Sequence, residues 1–362
     1  FINSKGVIMK KELLMGTALV STLGAASIAE AVTATFSGNH KVGVEFESND
    51  SAATDTRGQL NDNNFTVSLE ETTDAGVKIS SSFMLANEAT GSGDDDAGIT
   101  LTFTDGSKLD LLNAGNAGAT HAISVPSSAG AEGVGVTTTN NAPSGLTFMT
   151  ASTTLGIEYH TASDFLMDGL KASFSYSTDT EAAATATARI DSHFGIGATY
   201  VTDAGDSTIT IGTGFSSTEA SKTGDQLTSD EGGFHIGISA VTGDLTVAAG
   251  FADGDSIEDD GAGDNTASTQ NDGDVMALGA KYVSGDFTFN VGVVAGESND
   301  SSTEGTAGTT TDAYDKTSAS VSYAVASGVT AYLGFSSVDS QDEGSTDTNA
   351  GSAWYIGANM SF

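Results

Sequence analysis

The sequence predicts an all-β protein, a 16-stranded antiparallel transmembrane β-barrel with short periplasmic turns and long extracellular loops. Three observations support this class. Apolar side chains recur at every second position in many short segments, and the connections between these segments alternate between long and short. After residue 31, no apolar run approaches the about 18 to 20 residues that a spanning helix needs. Strands that cross a bilayer must close into a barrel, because hydrocarbon offers no partner to unpaired backbone groups.

The first 31 residues predict an export signal. Met9 is followed by Lys10 and Lys11, by an apolar stretch over 13–28 and by the small-residue sequence Ala29-Glu30-Ala31, after which cleavage is expected. Residues 1–8 are interpreted as upstream read-through, 9–31 as a cleaved signal peptide and 32–362 as a single barrel domain in the cell outer membrane. A transmembrane anchor fits less well, because glycine, serine and threonine dilute the apolar stretch.

The strands follow from period-two alternation of apolar and polar residues. In the first, Val42 and Val44 share one face while Lys41 and Glu45 share the other; the last alternates in the same way and ends on Phe362. The predicted strands are 35–47, 64–71, 76–86, 98–104, 107–112, 147–160, 169–177, 189–201, 206–215, 232–241, 244–252, 274–283, 286–296, 313–325, 328–336 and 351–362.

The connections predict how these strands cross the membrane. Short turns such as Thr242-Gly243 and Ser284-Gly285 alternate with long segments from one end of the chain to the other. An up-and-down barrel whose two ends both lie in the periplasm produces this alternation. A β-solenoid would show a fixed repeat, and a soluble sandwich has no reason to place its long loops at one end. The long segments are 48–63, 87–97, 113–146, 178–188, 216–231, 253–273, 297–312 and 337–350.

Composition excludes several classes of function. The formal charge is −36, and removal of residues 1–31 leaves 9 basic and 46 acidic residues, hence −37. Such a field repels nucleic acid. The absence of cysteine excludes a disulfide scaffold, thiol chemistry and Cys-ligated metal sites. The histidines have neither HExxH spacing nor a GxSxG partner, so no enzyme is predicted.

Four segments resemble the general porins of Gram-negative bacteria, especially those of alphaproteobacteria. They are VTATFSGNHKVGVEFE, ETTDAGVKISSSFMLANE, ITLTFTDGSKLDLLNAGNAGA and WYIGANMSF. The resemblance implies a homotrimer, passive diffusion of small hydrophilic solutes and ions, residues 113–146 folded into the barrel as a constriction loop, and Phe362 as an assembly signal. The chain departs from the family at the constriction. Residues 113–146 hold one acid, Glu132, and no Lys or Arg, while 32–362 contain only Arg57 and Arg189, so an arginine-rich eyelet cannot be built.

The polar faces of the strands carry the candidate channel lining. A charge on the lipid face costs about 2 to 4 kcal/mol at mid-bilayer, so strand charges are expected to point inward whether or not they serve transport. With Glu132 from the loop, the predicted pore-lining residues are Lys41, Glu45, Lys78, Lys108, Asp110, Glu132, Glu158, Lys171, Arg189, Asp191, Lys281 and Lys316.

The long segments carry most of the surplus negative charge, 29 acids against Arg57 and Lys222. If the long segments surround the extracellular mouth of the channel, their negative charge is expected to concentrate cations there, which predicts cation selectivity. Clustered carboxylates also suit Ca²⁺, although EF-hand spacing fails and a solvated acidic loop is the simpler interpretation. Divalent ions could bridge these acids to lipopolysaccharide, which with outer-membrane lipid is an expected partner. The weak Ca²⁺ candidates are Asp94, Asp95, Asp96, Asp253, Asp255, Asp259 and Asp260.

The leading functional prediction is therefore a passive diffusion channel. A substrate-specific outer-membrane channel is the alternative within transport. An alternative outside transport is a structural or surface-interaction outer-membrane protein whose barrel anchors acidic extracellular loops. The segment 113–146 separates these functions, because a diffusion channel needs it inside the barrel.

Overall fold

The computed structural model describes residues 32–49, 56–87, 98–112, 116–126, 155–178, 188–222, 228–259, 269–301, 311–341 and 348–362. One short helix and sixteen strands occur in these ranges. They are β1 (Thr33–Asn49), β2 (Thr56–Thr72), β3 (Lys78–Asn87), β4 (Ile99–Thr102), β5 (Lys108–Leu111), α1 (Ala117–Thr120), β6 (Leu155–His160), β7 (Leu170–Thr178), β8 (Ala188–Ala204), β9 (Ser207–Lys222), β10 (Thr228–Thr242), β11 (Leu245–Asp259), β12 (Thr269–Ser284), β13 (Phe287–Ser301), β14 (Thr311–Ala326), β15 (Val329–Gln341) and β16 (Thr348–Ser361).

The strands form one closed antiparallel barrel in which each strand pairs with its sequence neighbours and β1 closes on β16. The closing register joins Gly43 to Gly357 and Phe46 to Trp354. Closure leaves no open sheet edge, as a membrane-spanning sheet requires. The predicted 16-stranded barrel is confirmed. No helix among the residues given above is long and apolar enough to cross a membrane.

The two faces of the wall differ in side-chain chemistry. Large apolar residues such as Phe174, Ile236 and Val291 are exposed on the outer face. The residues between them on the same strands face inward, and many are small or polar. Aromatic residues contact one another at several places on the outer face. The ring centroids of Phe335 and Trp354 lie 4.5 Å apart, and those of Phe287 and Tyr323 lie 4.8 Å apart. This is the side-chain distribution of a barrel with an apolar outer belt and aromatic girdles.

Several strands extend well beyond their predicted ends, mostly on the side of the long connections. The predicted strand 206–215 is observed as Ser207–Lys222, and 244–252 as Leu245–Asp259. Apolar alternation marks only the part of a strand that faces lipid, whereas ladder hydrogen bonds continue between polar residues above that level. At the other extreme β4, predicted as 98–104, covers only Ile99–Thr102. Residues 147–154 of another predicted strand lie outside the described ranges.

The short turns are as predicted. Gly205, Gly243, Gly285 and Gly328 have φ of 66°, 56°, 58° and 73° in the two-residue turns that join β8 to β9, β10 to β11, β12 to β13 and β14 to β15. Two-residue hairpin turns need positive φ, which glycine adopts without strain. All four turns lie at one end of the barrel, so the long connections leave from the other.

Candidate functional site: the inner wall of the barrel

Residues 116–126 run across the inner face of the wall, beginning against β7 and β8. Asn116 caps α1, because its Oδ1 accepts a hydrogen bond from the Gly118 N–H at 2.9 Å. The Ala117 N–H donates to Ser175 Oγ of β7, also at 2.9 Å. The segment then crosses the inner face toward β12. These residues are the described part of the predicted constriction loop 113–146; residues 113–115 and 127–146 lie outside the described ranges. The position of the whole loop stays a prediction.

The wall beneath this segment, here called the glycine track, consists of inward-facing glycines on β8, β9, β10 and β12. A Cβ atom placed on Gly214 would lie 1.8 Å from the Gly118 carbonyl oxygen, and one on Gly212 would lie 2.1 Å from that of His121. On β12, a Cβ atom on Gly279 would lie 2.1 Å from the Pro126 carbonyl oxygen. Backbone therefore packs directly on backbone, and any larger residue would displace the segment.

A chain of histidines and hydroxyls fixes the segment to β7 and β8. His121 contacts Thr199 Oγ1 through Nδ1 at 2.7 Å and Ser173 Oγ through Nε2 at 2.8 Å. The same Ser173 hydroxyl lies 2.8 Å from His160 Nδ1 of β6. On β10, His235 Nε2 donates to the Gly118 carbonyl at 2.6 Å. Buried hydrogen bonds of this kind are costly to break, because the freed groups stay away from water.

The far end of the segment packs on an apolar part of the inner wall. Ile123 and Val125 form a buried cluster with inward-facing residues of β11 to β15, among them Val275, Val294 and Val338. The alternation of the sequence predicts polar side chains at inward positions. The inner wall is apolar here because the segment covers it, and covered apolar surface is removed from water.

Nine of the twelve predicted pore-lining residues can be placed, and all nine lie on the inner face of their strands. Their neighbours in sequence, such as Val42 beside Lys41, point outward. Glu132 lies outside the described ranges, as do the side chains of Arg189 and Asp191, whose backbone belongs to β8. The residues placed are Lys41, Glu45, Lys78, Lys108, Asp110, Glu158, Lys171, Lys281 and Lys316. Their effect on conduction stays a prediction.

Some of these charged residues lie next to another charged residue on the inner wall, and others do not. Lys78 forms an ion pair with Glu70 of β2 at 2.7 Å, with both side chains about half exposed. Asp110 lies directly opposite Glu158 on the paired strands β5 and β6. Lys281 has no ion pair with another described residue.

Charge is distributed unevenly along the inner wall. Lys78 and Lys108 directly follow short turns, and Lys171 lies two residues after the longer connection 161–169; all three are at the periplasmic end. Inward-facing acids of the extracellular half include Glu45 and Glu47 on β1. Glu45 and Glu47 therefore lie toward the outer mouth of the lumen. The three lysines lie toward the inner mouth, together with the carboxylates of Glu70, Asp110 and Glu158.

The acids predicted to form loops lie partly on the outer wall instead. Asp253 and Asp255, placed in a loop by the sequence analysis, belong to β11 and lie opposite Asp274 and Asp272 of β12. They share the outer face with Met276, because Val275 points inward. Asp94, Asp95, Asp96 and Asp260 lie outside the described ranges, and of Asp259 only the backbone is described. Asp253 and Asp255 therefore belong to the barrel wall and not to a loop.

Sequence reasoning missed the residues that seat the segment. His160 and His235 stand at inward positions of apolar-alternating strands, which is an unusual place for histidine and a usable signal. The glycine track gave no signal of its own, since glycine is common throughout this chain. Ser173 and Thr199 are ordinary strand residues until the segment is placed on them.

The comparisons with known proteins agree with this architecture. A family model described as Gram-negative porin matches residues 16–343, whereas no curated protein sequence matches. An anion-selective porin from Comamonas acidovorans is 13% identical, with a TM-score of 0.65 and coverage of 91% of this chain and 100% of that chain. OmpT of Vibrio cholerae, in its trimer form, is 13% identical, with a TM-score of 0.58 and coverage of 92% and 100%. A variant of the Rh. blastica porin is 15% identical, with a TM-score of 0.56 and coverage of 91% and 100%.

These structural likenesses, all at low identity, show the fold, and the family model matches most of the chain. The barrel has the apolar outer face and the partly polar, charged inner face that a pore through the outer membrane needs. The chain belongs to the family of Gram-negative porins.

Proposed function

We propose that this outer-membrane porin is a water-filled channel for passive diffusion of small hydrophilic solutes, with a preference for cations. The inner wall carries the proposal, because it bears all nine placed charged residues while the outer face bears the large apolar ones. Charged side chains that line a water-filled lumen can select the ions that pass through it. A substrate-specific channel remains the alternative, and saturable block by one solute would favour it.

The proposed cation preference rests on the inner acids of β1. Because β1 and β9 are eight strands apart in a ring of sixteen, they face each other across the lumen. The part of the segment that packs on β9, from Gly118 to His121, therefore lies on the wall opposite the strand that carries Glu45 and Glu47. Residues 116–126 contain no acid and no Lys or Arg. The segment brings no Lys or Arg toward these carboxylates from across the lumen, and acidic groups in a pore wall raise the local concentration of positive ions. The Comamonas porin is described as anion-selective, so the shared fold does not decide selectivity.

Reversal potentials across a KCl gradient test this proposal in planar bilayers. The wild-type protein should prefer K⁺, and the double substitution Glu45→Gln with Glu47→Gln should shift the reversal potential toward chloride. Glu297→Gln is the matched control, because Glu297 is exposed on the outer face of β13 and its removal should leave the potential unchanged. A wild-type preference for chloride, or equal shifts in both variants, would contradict the proposal.

Hydrolytic catalysis is not part of the proposed function, although three residues are arranged like a Ser-His-Asp triad. His160 lies 2.8 Å from both Asp110 Oδ2 and Ser173 Oγ. Ser173 is only 3% exposed and its hydroxyl also contacts His121 at 2.8 Å. A nucleophile must reach its substrate, and this hydroxyl is committed to holding the segment.

We also propose that the protein is a homotrimer whose contact surface includes the outer face of β1 and β2. His40 and Asn63 are hydrogen-bonded there, halfway along two paired strands, and Asn61 lies on the same face. Polar groups that face lipid are costly, so contact with a second copy of the chain is more favourable for these residues than contact with lipid. The predicted assembly role of Phe362 belongs to the same proposal, as does export through residues 9–31.

The acids on the outer face support a further part of the proposed function. Asp253 with Asp274, and Asp255 with Asp272, form like-charge pairs directly opposite each other on β11 and β12. Such pairs destabilise a sheet unless a cation neutralises them. We propose that Ca²⁺ or Mg²⁺ bridges these outer-face acids to the phosphates of lipopolysaccharide.

A further inference from the structure

Asp110, Glu158 and His160 form a cluster on the inner wall at the periplasmic side of the segment 116–126. Each residue offers one ligand atom, and these atoms all lie within 4.8 Å of one another. Glu158 is 2% exposed, and the side chains of Asp110 and His160 are 18% and 23% exposed. The register explains this closeness, because Asp110 pairs with Glu158 and Lys108 with His160 on adjacent strands. From this geometry we propose that the cluster binds one transition-metal ion of the Zn²⁺ type.

The charges of the cluster favour a divalent cation. Two carboxylates face each other on paired strands, and one of them is almost fully buried. Like charges opposite each other destabilise a sheet, and a buried carboxylate needs compensation. Within the cluster, only protonation of His160 could supply a positive charge, and it would balance one carboxylate of the two. Lys108 stands nearby on the same face but is exposed to water.

The neighbouring hydroxyls hold the ligand groups in orientation. Thr100 donates to Asp110 Oδ1, which leaves Oδ2 facing His160 Nε2 at 2.8 Å. Ser173 Oγ lies 2.8 Å from His160 Nδ1. If that nitrogen carries the proton, the lone pair of Nε2 points at a carboxylate oxygen, an arrangement that needs a proton or a metal ion between them. Thr120 of α1 donates to Glu158 Oε1 at 2.7 Å. Hydrogen-bonded ligands of this kind are typical of metal sites.

The ligand types select the class of metal. A nitrogen ligand beside two carboxylates suits Zn²⁺, Co²⁺ or Ni²⁺, whereas Ca²⁺ and Mg²⁺ prefer oxygen alone. Tetrahedral Zn²⁺ needs ligand atoms roughly 3.4 Å apart, so side-chain shifts on the order of 1 Å complete three protein ligands, with water as the fourth. This site differs from the outer-face acids in residues, in face and in ion.

Metal titration of the refolded protein in detergent tests the proposal without relying on channel activity. One Zn²⁺ per chain should bind saturably, and Co²⁺ should show the visible bands of a tetrahedral site. Glu158→Gln and His160→Gln should abolish both signals. His193→Gln is the matched control, because His193 is a fully buried inward histidine of β8 outside the cluster, and binding should be unchanged.

A second variant keeps the test decisive if a ligand substitution prevents folding. Thr120→Val leaves all three ligands in place and should weaken Zn²⁺ binding by roughly 10- to 100-fold. Three results would overturn the proposal: no saturable binding, equal binding in Glu158→Gln, or displacement of Zn²⁺ by Ca²⁺ at equal concentration. Conductance without added metal reports separately on the proposed channel, so either proposal can fail alone.

Discussion

Gly214 offers the sharpest test of how residues 116–126 are held against the wall. In Gly214→Ala, the new Cβ atom would lie 1.8 Å from the Gly118 carbonyl oxygen and 2.7 Å from His235 Nε2. Ordinary contact begins near 3.4 Å, so backbone must move by about 3.4 − 1.8 = 1.6 Å. The hydrogen bond from His235 to Gly118, now 2.6 Å long, cannot survive such a shift.

The magnitude follows from these two effects. Overpacking costs about 1 to 3 kcal/mol, and a buried carbonyl that loses its donor costs about 1 to 3 kcal/mol more. The segment should therefore be destabilised by about 2 to 6 kcal/mol, while the strand ladders of the barrel remain intact. Single-channel recording should show raised open-channel noise and a broadened distribution of conductance.

The matched control is Gly58→Ala on β2. Gly58 also faces inward, but the atom nearest to its new Cβ would be Glu45 Oε2 at 3.5 Å, the end of a flexible side chain. This variant should conduct like the wild type. If Gly214→Ala has the same noise and mean conductance as Gly58→Ala, the segment is not seated on the glycine track as described.

Two other predictions concern the outer face. Asn63→Leu removes the hydrogen-bond acceptor of His40 between β1 and β2, so SDS-resistant trimers should dissociate at a lower temperature than those of the wild type. The control Val291→Leu on β13 should leave the dissociation temperature unchanged. Equal dissociation temperatures for the two variants would argue against this contact surface. Asp255→Asn with Asp274→Asn removes one acid from each like-charge pair. Co-purification of lipopolysaccharide in Mg²⁺ should then fall toward its EDTA level, and undiminished co-purification would argue against bridging.

The fold was predictable because lipid imposes a local rule. Each strand must show apolar side chains to hydrocarbon at every second position, and each short turn needs residues such as Gly243 that accept positive φ. Both signals lie within about a dozen consecutive residues. The upper strand extensions, such as 216–222 of β9, lie above the lipid and are held by backbone pairing. That pairing is independent of side-chain pattern, so the sequence carried no comparable signal for it.

The site was less predictable, because its contacts join residues far apart in the chain. His121 and Ser173 are 52 residues apart, and His235 and Gly118 are 117 apart. Which glycines lie under the segment depends on the vertical register of β8, β9, β10 and β12 together. The alternation of side chains along the strand correctly predicted that Glu158 faces inward. It could not predict that Asp110 and His160 lie next to Glu158.

The glycine track also bears on how selectivity can arise without an arginine cluster. A segment that rests on backbone atoms takes little width from the lumen, so the charges facing it from the opposite wall act across a wider gap. Those charges are Glu45 and Glu47 of β1, eight strands from β9. Moving the segment off the wall would bring uncharged backbone toward these acids and expel the water that screens them, which strengthens their field. In Gly214→Ala the K⁺ preference should therefore rise as the segment shifts inward, so reversal potential and noise report the same displacement by independent routes.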